Sequence, residues 1–199
     1  MATVQGTAND DRINSRGGND LVNGLAGEDV LIGANGHDTL NGGGEGDMLY
    51  GVNGRDQING GNGFDSLYGG RGDDTLDGGN GGDLLNGELG SNTLYDGNGD
   101  DTFVFDALYG GTGVDTVKDF DVDRELRNMT FDDSIELLNV GGLEVKFVQV
   151  GDDVDLYFDD VLIAHFEGSE GAIDADDLAA ATTFTGTPPA DIVVDDMVI

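Results

Sequence analysis

From Gly6 to Val104 the chain repeats itself every nine residues, eleven times without a gap. With the positions of each repeat numbered one to nine, position six is Asp11, Asp20, Asp29, Asp38, Asp47, Asp56, Asp65, Asp74, Asp83, Asn92 and Asp101. Position eight is Ile13, Val22, Leu31, Leu40, Leu49, Ile58, Leu67, Leu76, Leu85, Leu94 and Phe103. Position one is glycine except at Ser15 and Asp96, and position four except at Asn9 and Glu45. So short and strict a period specifies a stack of like coils, because no single repeat can bury its own apolar residue. A disordered Gly/Asp linker is the competing reading. It does not account for an apolar residue held in register, although the same composition favours disorder when no cation is present.

Each repeat divides into a glycine-rich loop half, positions one to six, and a short strand half, positions seven to nine. Glycines let the loop turn tightly and aim its carbonyls inward. In a strand alternate side chains face opposite sides, so only position eight need point inward. One apolar residue in nine makes a thin column rather than an ordinary core. The carboxylates must supply the rest, and stacked ~4.8 Å apart between neighbouring strands they repel unless a cation lies between them. Carboxylate plus carbonyl oxygens suit Ca²⁺, which accepts six to eight hard ligands flexibly, better than Mg²⁺, which demands a near-ideal octahedron. Zinc and copper are disfavoured, since the chain has no cysteine and only two histidines.

The repeat resembles the RTX (hemolysin-type calcium-binding) nonapeptide G-G-x-G-x-D-x-U-x. Close matches stand at Gly60-Gly61-Asn62-Gly63-Phe64-Asp65-Ser66-Leu67-Tyr68 and Gly69-Gly70-Arg71-Gly72-Asp73-Asp74-Thr75-Leu76-Asp77. The resemblance implies an all-β fold, a right-handed parallel β-roll in which two nonapeptides make one coil. It implies Ca²⁺ between loops one coil apart, held by Asp11, Asp20, Asp29, Asp38, Asp47, Asp56, Asp65, Asp74, Asp83, Asp101 and Asp115. Loop carbonyls such as those of Gly61, Gly63, Gly70, Gly72, Gly79 and Gly81 complete the set. Repeats two apart share an ion on that scheme, so the eleven repeats give up to about nine sites. Asn92 removes a charge from one of them, and Glu45 replaces a position-four glycine.

The 41 acids against 8 Lys plus Arg give a net charge of −33. That balance excludes nucleic acid and anionic membrane surfaces as partners and favours cations. Nine divalent ions would bring −33 to about −15, so folding is expected to be coupled to their binding. Absence of cysteine excludes disulfides and thiolate metal sites. Residues 1–7 have neither the basic cluster nor the apolar run of a Sec-type signal. No stretch is apolar enough to span a membrane.

After the roll the period breaks at Phe105-Asp106-Ala107-Leu108-Tyr109, then resumes in Gly110–Lys118 with Asp115 at position six and Val117 at position eight. Residues 1–118 are expected to form the roll, 119–184 a C-terminal β cap with a short helix, and 185–199 a tail. Asp119-Phe120-Asp121 and Ser134-Ile135-Glu136-Leu137 resemble the exit segment of RTX rolls, where an aromatic plugs the column. Arg124–Thr130 reads as a surface insertion. Alternation predicts a strand over Leu143–Val150, and a hairpin of Val154–Phe158 and Val161–Phe166 around Asp159-Asp160. Asp174–Ala181 reads as a helix with Asp174 as N-cap. The tail resembles the uncleaved C-terminal signal of type I secretion substrates, and a final strand docked on the cap is the plainer alternative.

No catalytic constellation is present: no H-E-x-x-H, G-x-S-x-G, P-loop or G-x-G-x-x-G. His37 falls in an exposed loop slot and His165 in a strand. Any catalytic module would lie outside this chain. The leading expectation is a module that is disordered without Ca²⁺, is exported by a type I ABC transporter from a Gram-negative bacterium, and folds at the cell surface or beyond. The alternative is an adhesin or carbohydrate-binding accessory of a larger secreted protein, such as a polysaccharide-modifying enzyme. Tyr50, Tyr68, Tyr95 and Tyr109 support it, since Tyr50 and Tyr68 are expected to form an exposed ladder for sugar rings. No regular threonine row of ice-binding type is evident.

Overall fold

The computed structural model describes residues 1–107, 113–118, 120, 134–138, 140–141, 143–150, 153–167, 182–185, 189 and 191–195. One sheet begins with β1 (Thr3–Gln5), β3 (Leu21–Ala26), β5 (Thr39–Gly44), β7 (Gln57–Asn62), β9 (Thr75–Asn80), β11 (Thr93–Asn98) and β13 (Asp115–Lys118). The other contains β2 (Arg12–Asn14), β4 (Val30–Asn35), β6 (Met48–Asn53), β8 (Ser66–Arg71), β10 (Leu84–Leu89) and β12 (Thr102–Asp106). All these pairings are parallel. Leu40 lies beside Ile58 and Leu49 beside Leu67, so the register is two nonapeptides per coil, as a parallel β-roll requires.

The strands are longer than positions seven to nine. They run on through positions one to three of the next repeat, which the glycine pattern places in the loop half. Thus Leu25 pairs with Gly43 and Ala26 with Gly44. The glycines do not end the ladder, because backbone bonds such as Gly36 N–H to the Asn53 carbonyl, 2.9 Å, carry it into the turn. Each strand from β3 to β10 therefore turns two residues inward, the apolar one at position eight and the glycine at position one, and β11 buries Asp96 in the second slot.

The core is two facing columns rather than one. Val22, Leu40, Ile58, Leu76, Leu94 and Val117 belong to the first sheet, and Leu31, Leu49, Leu67, Leu85 and Phe103 to the second, all buried. Leu67→Ala is expected to lower stability by about 2–5 kcal/mol, read from the urea midpoint in saturating calcium. Its outward neighbour Ser66→Ala should stay within ~0.5 kcal/mol. Equal effects would contradict the inward and outward assignments.

The coil resumes after its interruption as expected. Leu94 pairs with Val117, 23 residues on instead of 18, so the register is regained with five more residues between the paired strands. Both sheets then continue past Lys118. Strand β14 (Ser134–Leu138) adds in parallel to β12, with Ile135 beside Phe103. Strands β15 (Glu144–Val150), β16 (Asp153–Phe158) and β17 (Val161–Phe166) form an antiparallel meander, and β17 lies parallel on β13. The expected hairpin around Asp159-Asp160 is present. Phe120 is buried 5.6 Å from Phe103 and 5.3 Å from Phe166, so aromatic rings close the leucine columns where regular coils end.

Two expectations change. A strand not foreseen, β18 (Thr182–Thr185), pairs with β14. The tail contains β19 (Asp191–Asp195), parallel to β15 at the sheet edge. A threonine row does exist: Thr75, Thr93 and Thr116 are in register, and Gln57 separates them from Thr39. The insertion before Thr116 hid it from a count by nines. The helix expected over Asp174–Ala181 and the insertion at Arg124–Thr130 lie outside the described residues. Among those described, no helix is long and apolar enough to cross a membrane.

Candidate metal centre

The loop conformation follows from two glycine positions. Positions two and four take positive φ, for example +105° at Gly70 and +139° at Gly72. This conformation turns their carbonyls along the roll axis, toward the same loop of the next coil. A Cβ on Gly72 would lie 2.5 Å from the Gly54 carbonyl carbon and overlap its oxygen. Gly61, Gly63, Gly79 and Gly81 share this geometry, so all six carbonyl donors expected from the repeat point into the gaps between coils.

Position one is glycine for a different reason. Gly60, Gly69 and Gly78 are not among the positive-φ residues. A Cβ on Gly69 would instead meet Asp74 Oδ2 at 2.6 Å and the Gly87 carbonyl oxygen at 2.8 Å. On Gly78 it would meet Asp83 Oδ2 and the Asp96 carbonyl, both at 2.6 Å. The space is reserved for oxygens. Reading the sequence missed these position-one carbonyls. The available signal was an almost invariant glycine at a place where strand geometry needs none.

The position-six side chains form a ladder in two rows. Each backbone N–H donates to Oδ1 one coil later: Asp11 to Asp29, Asp29 to Asp47, Asp47 to Asp65 and Asp65 to Asp83 in one row, at 2.7–2.8 Å. In the other row Asp20 donates to Asp38, Asp38 to Asp56 and Asp56 to Asp74, also at 2.7–2.8 Å. Asp83 N–H donates to Asp101 at 2.6 Å. The second oxygen is left over. Oδ2 of Asp29, Asp38, Asp47, Asp56, Asp65, Asp74 and Asp83 is buried without a hydrogen-bond donor. An unpaired buried carboxylate oxygen is costly. Accordingly burial pushes Asp47 and Asp65 up to about 6 and Asp74 to about 7, with neighbouring carboxylates adding to the rise and the ladder N–H opposing it.

Between the regular coils, those of Asp29 to Asp83, each gap thus receives an orphaned carboxylate oxygen and position-two and position-four carbonyls from one side, and a position-one carbonyl from the other. Among the described residues no three His, Cys, Asp or Glu side chains converge. Most donors to such a gap are main-chain oxygens, a hard set suited to a large, flexible cation.

The rows are not uniform. At the first coil Asp11 Oδ2 accepts from Thr7 N–H at 2.6 Å and Thr7 Oγ1 at 2.9 Å. Asp20 Oδ1 accepts from Ala2 N–H at 2.5 Å. Asp115 Oδ1 accepts both the backbone and side-chain N–H of Asn92, at 2.9 and 2.8 Å. Glu45 occupies its position-four slot at φ 73°.

Neither histidine joins a site. His37 Nδ1 accepts the Arg55 N–H at 2.8 Å, one of several position-five side chains that cap the next coil. His165 Nδ1 bonds Asp155 Oδ1 at 2.7 Å, and Tyr157 donates to the other oxygen at 3.2 Å. The tyrosine ladder exists but is turned differently from what a sugar needs. The Tyr50 and Tyr68 rings stack on each other, centroids 4.9 Å apart and planes within 7°, with Ile32 and Asn86 in register on either side. The faces a sugar would cover are turned on one another. Tyr95 lies in the other sheet, and Tyr109 is outside the described residues.

Stacked oxygen-lined gaps between the coils of a parallel β-roll define a cation-binding solenoid. The chain belongs to the RTX calcium-binding nonapeptide repeat family, whose model matches four times, at residues 3–31, 16–49, 50–85 and 77–117. Together these matches cover 3–117, more than half of the 199 residues. RTX repeats are structural calcium-binding modules. No curated protein sequence matches the chain. Among solved structures it is similar to the extracellular lipase LipA from Serratia marcescens, at 18% identity and a TM-score of 0.32. That alignment covers 88% of this chain and 39% of the lipase, so the chain spans well under half of its neighbour's length.

Proposed function

We propose that this chain is a calcium-triggered folding module: disordered in a calcium-poor cytosol, exported by a type I ABC transporter and folded outside the cell. Asp29, Asp38, Asp47, Asp56, Asp65, Asp74, Asp83 and Asp101 are the principal carboxylate ligands. Position-one, -two and -four carbonyls of adjoining coils complete each site, up to about nine in all. Asp11 and Asp20 hold the sites at the N-terminal end. Bound Ca²⁺ would neutralise the stacked carboxylates and tie each coil to the next.

The observation that carries this reading is the row of buried, donorless Oδ2 atoms. In the folded chain without cations, each is a charge or a proton held out of water. The net charge of −33 adds repulsion, so the unliganded chain has little to hold it compact. An unfolded chain fits a narrow export channel, and 185–199 is the segment assigned to the transporter. Docking of β19 within that segment fits a signal retained after export. Catalysis is not assigned to these residues. The carbohydrate-binding alternative is disfavoured by the mutual stacking of Tyr50 and Tyr68.

Calcium titration followed by far-UV circular dichroism tests the proposal. A cooperative gain of β signal is expected in the ~10⁻⁴–10⁻³ M range typical of extracellular calcium modules, with much less from equal Mg²⁺. Full strand content in excess chelator would contradict it.

A further inference from the structure

One rung of the ladder differs in kind from the rest. Asn92 stands at position six and is 1% exposed, as buried as the aspartates. Its Oδ1 accepts the Asp74 N–H at 2.9 Å, the bond every ladder aspartate accepts through Oδ1. That bond fixes the other terminal atom as Nδ2. It stands next to Gly87, the slot that Asp83 Oδ2 fills next to Gly78. Where the coils of Asp29 to Asp83 present a donorless oxygen to the gap, this coil presents an NH₂ group. The group donates to Asp115 Oδ1 at 2.8 Å, and the Asn92 backbone N–H donates to the same oxygen at 2.9 Å.

We infer that the rung between Asn92 and Asp115 is a metal-independent rung, in which a side-chain amide takes the place of the cation. A cation needs oxygen lone pairs, and the amide offers hydrogens with partial positive charge. Flipping the amide would not restore the site. The NH₂ would then face the Asp74 N–H, donor against donor, and Asp115 would lose its side-chain partner. The rung also carries one negative charge fewer than an Asp–Asp pair. The preceding gap keeps Asp74 Oδ2 and the Gly87 carbonyl, so the substitution removes one site and not two.

Its place in the chain gives the rung a use. It joins β11 to β13, across the five-residue insertion, and β13 carries the C-terminal meander through β17. The joint between the repeats and their C-terminal strands is thus held by hydrogen bonds that need no ion. Of the joints between coils this one loses least when calcium is withdrawn, so it is the first to form, and the upstream coils then stack on its edge as ions bind.

The inference rests on the calcium reading above, and the test separates the two. Ions bound per chain are counted by native mass spectrometry for the wild type, Asn92→Asp and Asp65→Asn. The first variant restores a carboxylate and is expected to bind one more Ca²⁺ than the wild type. The second installs an amide facing Asp83 and is expected to bind one fewer while still folding in calcium. Hydrogen exchange in chelator should show protection of 93–95 and 116–118 in the wild type, lost in Asn92→Asp. Unchanged ion counts in both variants would overturn the inference. A wild type that binds no calcium would instead overturn the calcium reading.

Discussion

Lowering the pH from about 7.5 to about 5.5 is expected to act in opposite directions on the two states of this chain. In excess chelator it should raise the β signal, and in limiting calcium it should lower the number of ions bound. The folded, ion-free roll holds Asp47 and Asp65 at about 6, Asp74 at about 7 and Asp115 at about 6, chiefly because burial penalises the charged form. An unfolded aspartate titrates near ~3.9. Between those values the folded state binds more protons than the unfolded state, so its stability falls as pH rises through the window. Protonation at the lower pH supplies the orphaned Oδ2 atoms with hydrogens and removes the repulsion along each row. With calcium the sign reverses. The ligating form is the carboxylate, so protons compete for the same oxygens and half-saturation should move several-fold higher in calcium as pH falls below about 6–7. Circular dichroism in chelator and ion counts in limiting calcium, at both pH values, read the two directions. A shift of the same sign in both would show that the buried carboxylates are not what the cation and the proton share.

Much of this could be read from the chain because its constraints are periodic. Once the family resemblance supplies two nonapeptides per coil, the nine-residue period puts Leu49 beside Leu67 and Asp47 beside Asp65 whatever the loop details, and the hydrophobic columns follow. What escaped is what periodicity does not encode. It does not tell which carboxylate oxygen takes the ladder N–H and which is left bare. It does not separate the two uses of glycine, positive φ at positions two and four and free space at position one. Asn92 read as a lost charge, because the amide's role depends on a partner 23 residues away across an irregular insertion. The same insertion concealed the alignment of Thr93 with Thr116. The tyrosine pair was legible as a neighbour relation, but ring orientation is set by packing along the roll axis. Beyond Lys118 alternation found β15 to β17, while β18 and β19 are short parallel additions whose partners lie 47 residues away in each case, at Ile135 with Thr182 and Glu144 with Asp191.

The two positive-φ glycines should respond unequally to substitution, and the chain itself contains the precedent. Position two already carries Arg16, Leu25, Ala34, Val52 and Glu88, at φ between 61° and 92°. Position four in that conformation carries a side chain at Glu45 alone. The steric surroundings explain the difference. A Cβ on Gly61 would lie 2.3 Å from the Gly43 carbonyl oxygen and 3.0 Å from its carbon, a clash of the kind that the side chains at position two already accommodate, whereas on Gly72 the Gly54 oxygen is overlapped and its carbon lies at 2.5 Å. The Gly54 oxygen that it would displace is one of the donors aimed into the gap between the coils of Asp56 and Asp74. Gly61→Ala is therefore expected to cost about 1–2 kcal/mol, the price of a side chain in the left-handed region. Gly72→Ala pays that strain and also disorganises a site. It should lose one bound ion and raise the calcium midpoint of folding about ten-fold or more. Side-by-side calcium titrations of the two variants, with ion counts, decide the matter. Equal midpoints would mean that position-four carbonyls do not reach the cation, and that glycine persists there for the turn alone.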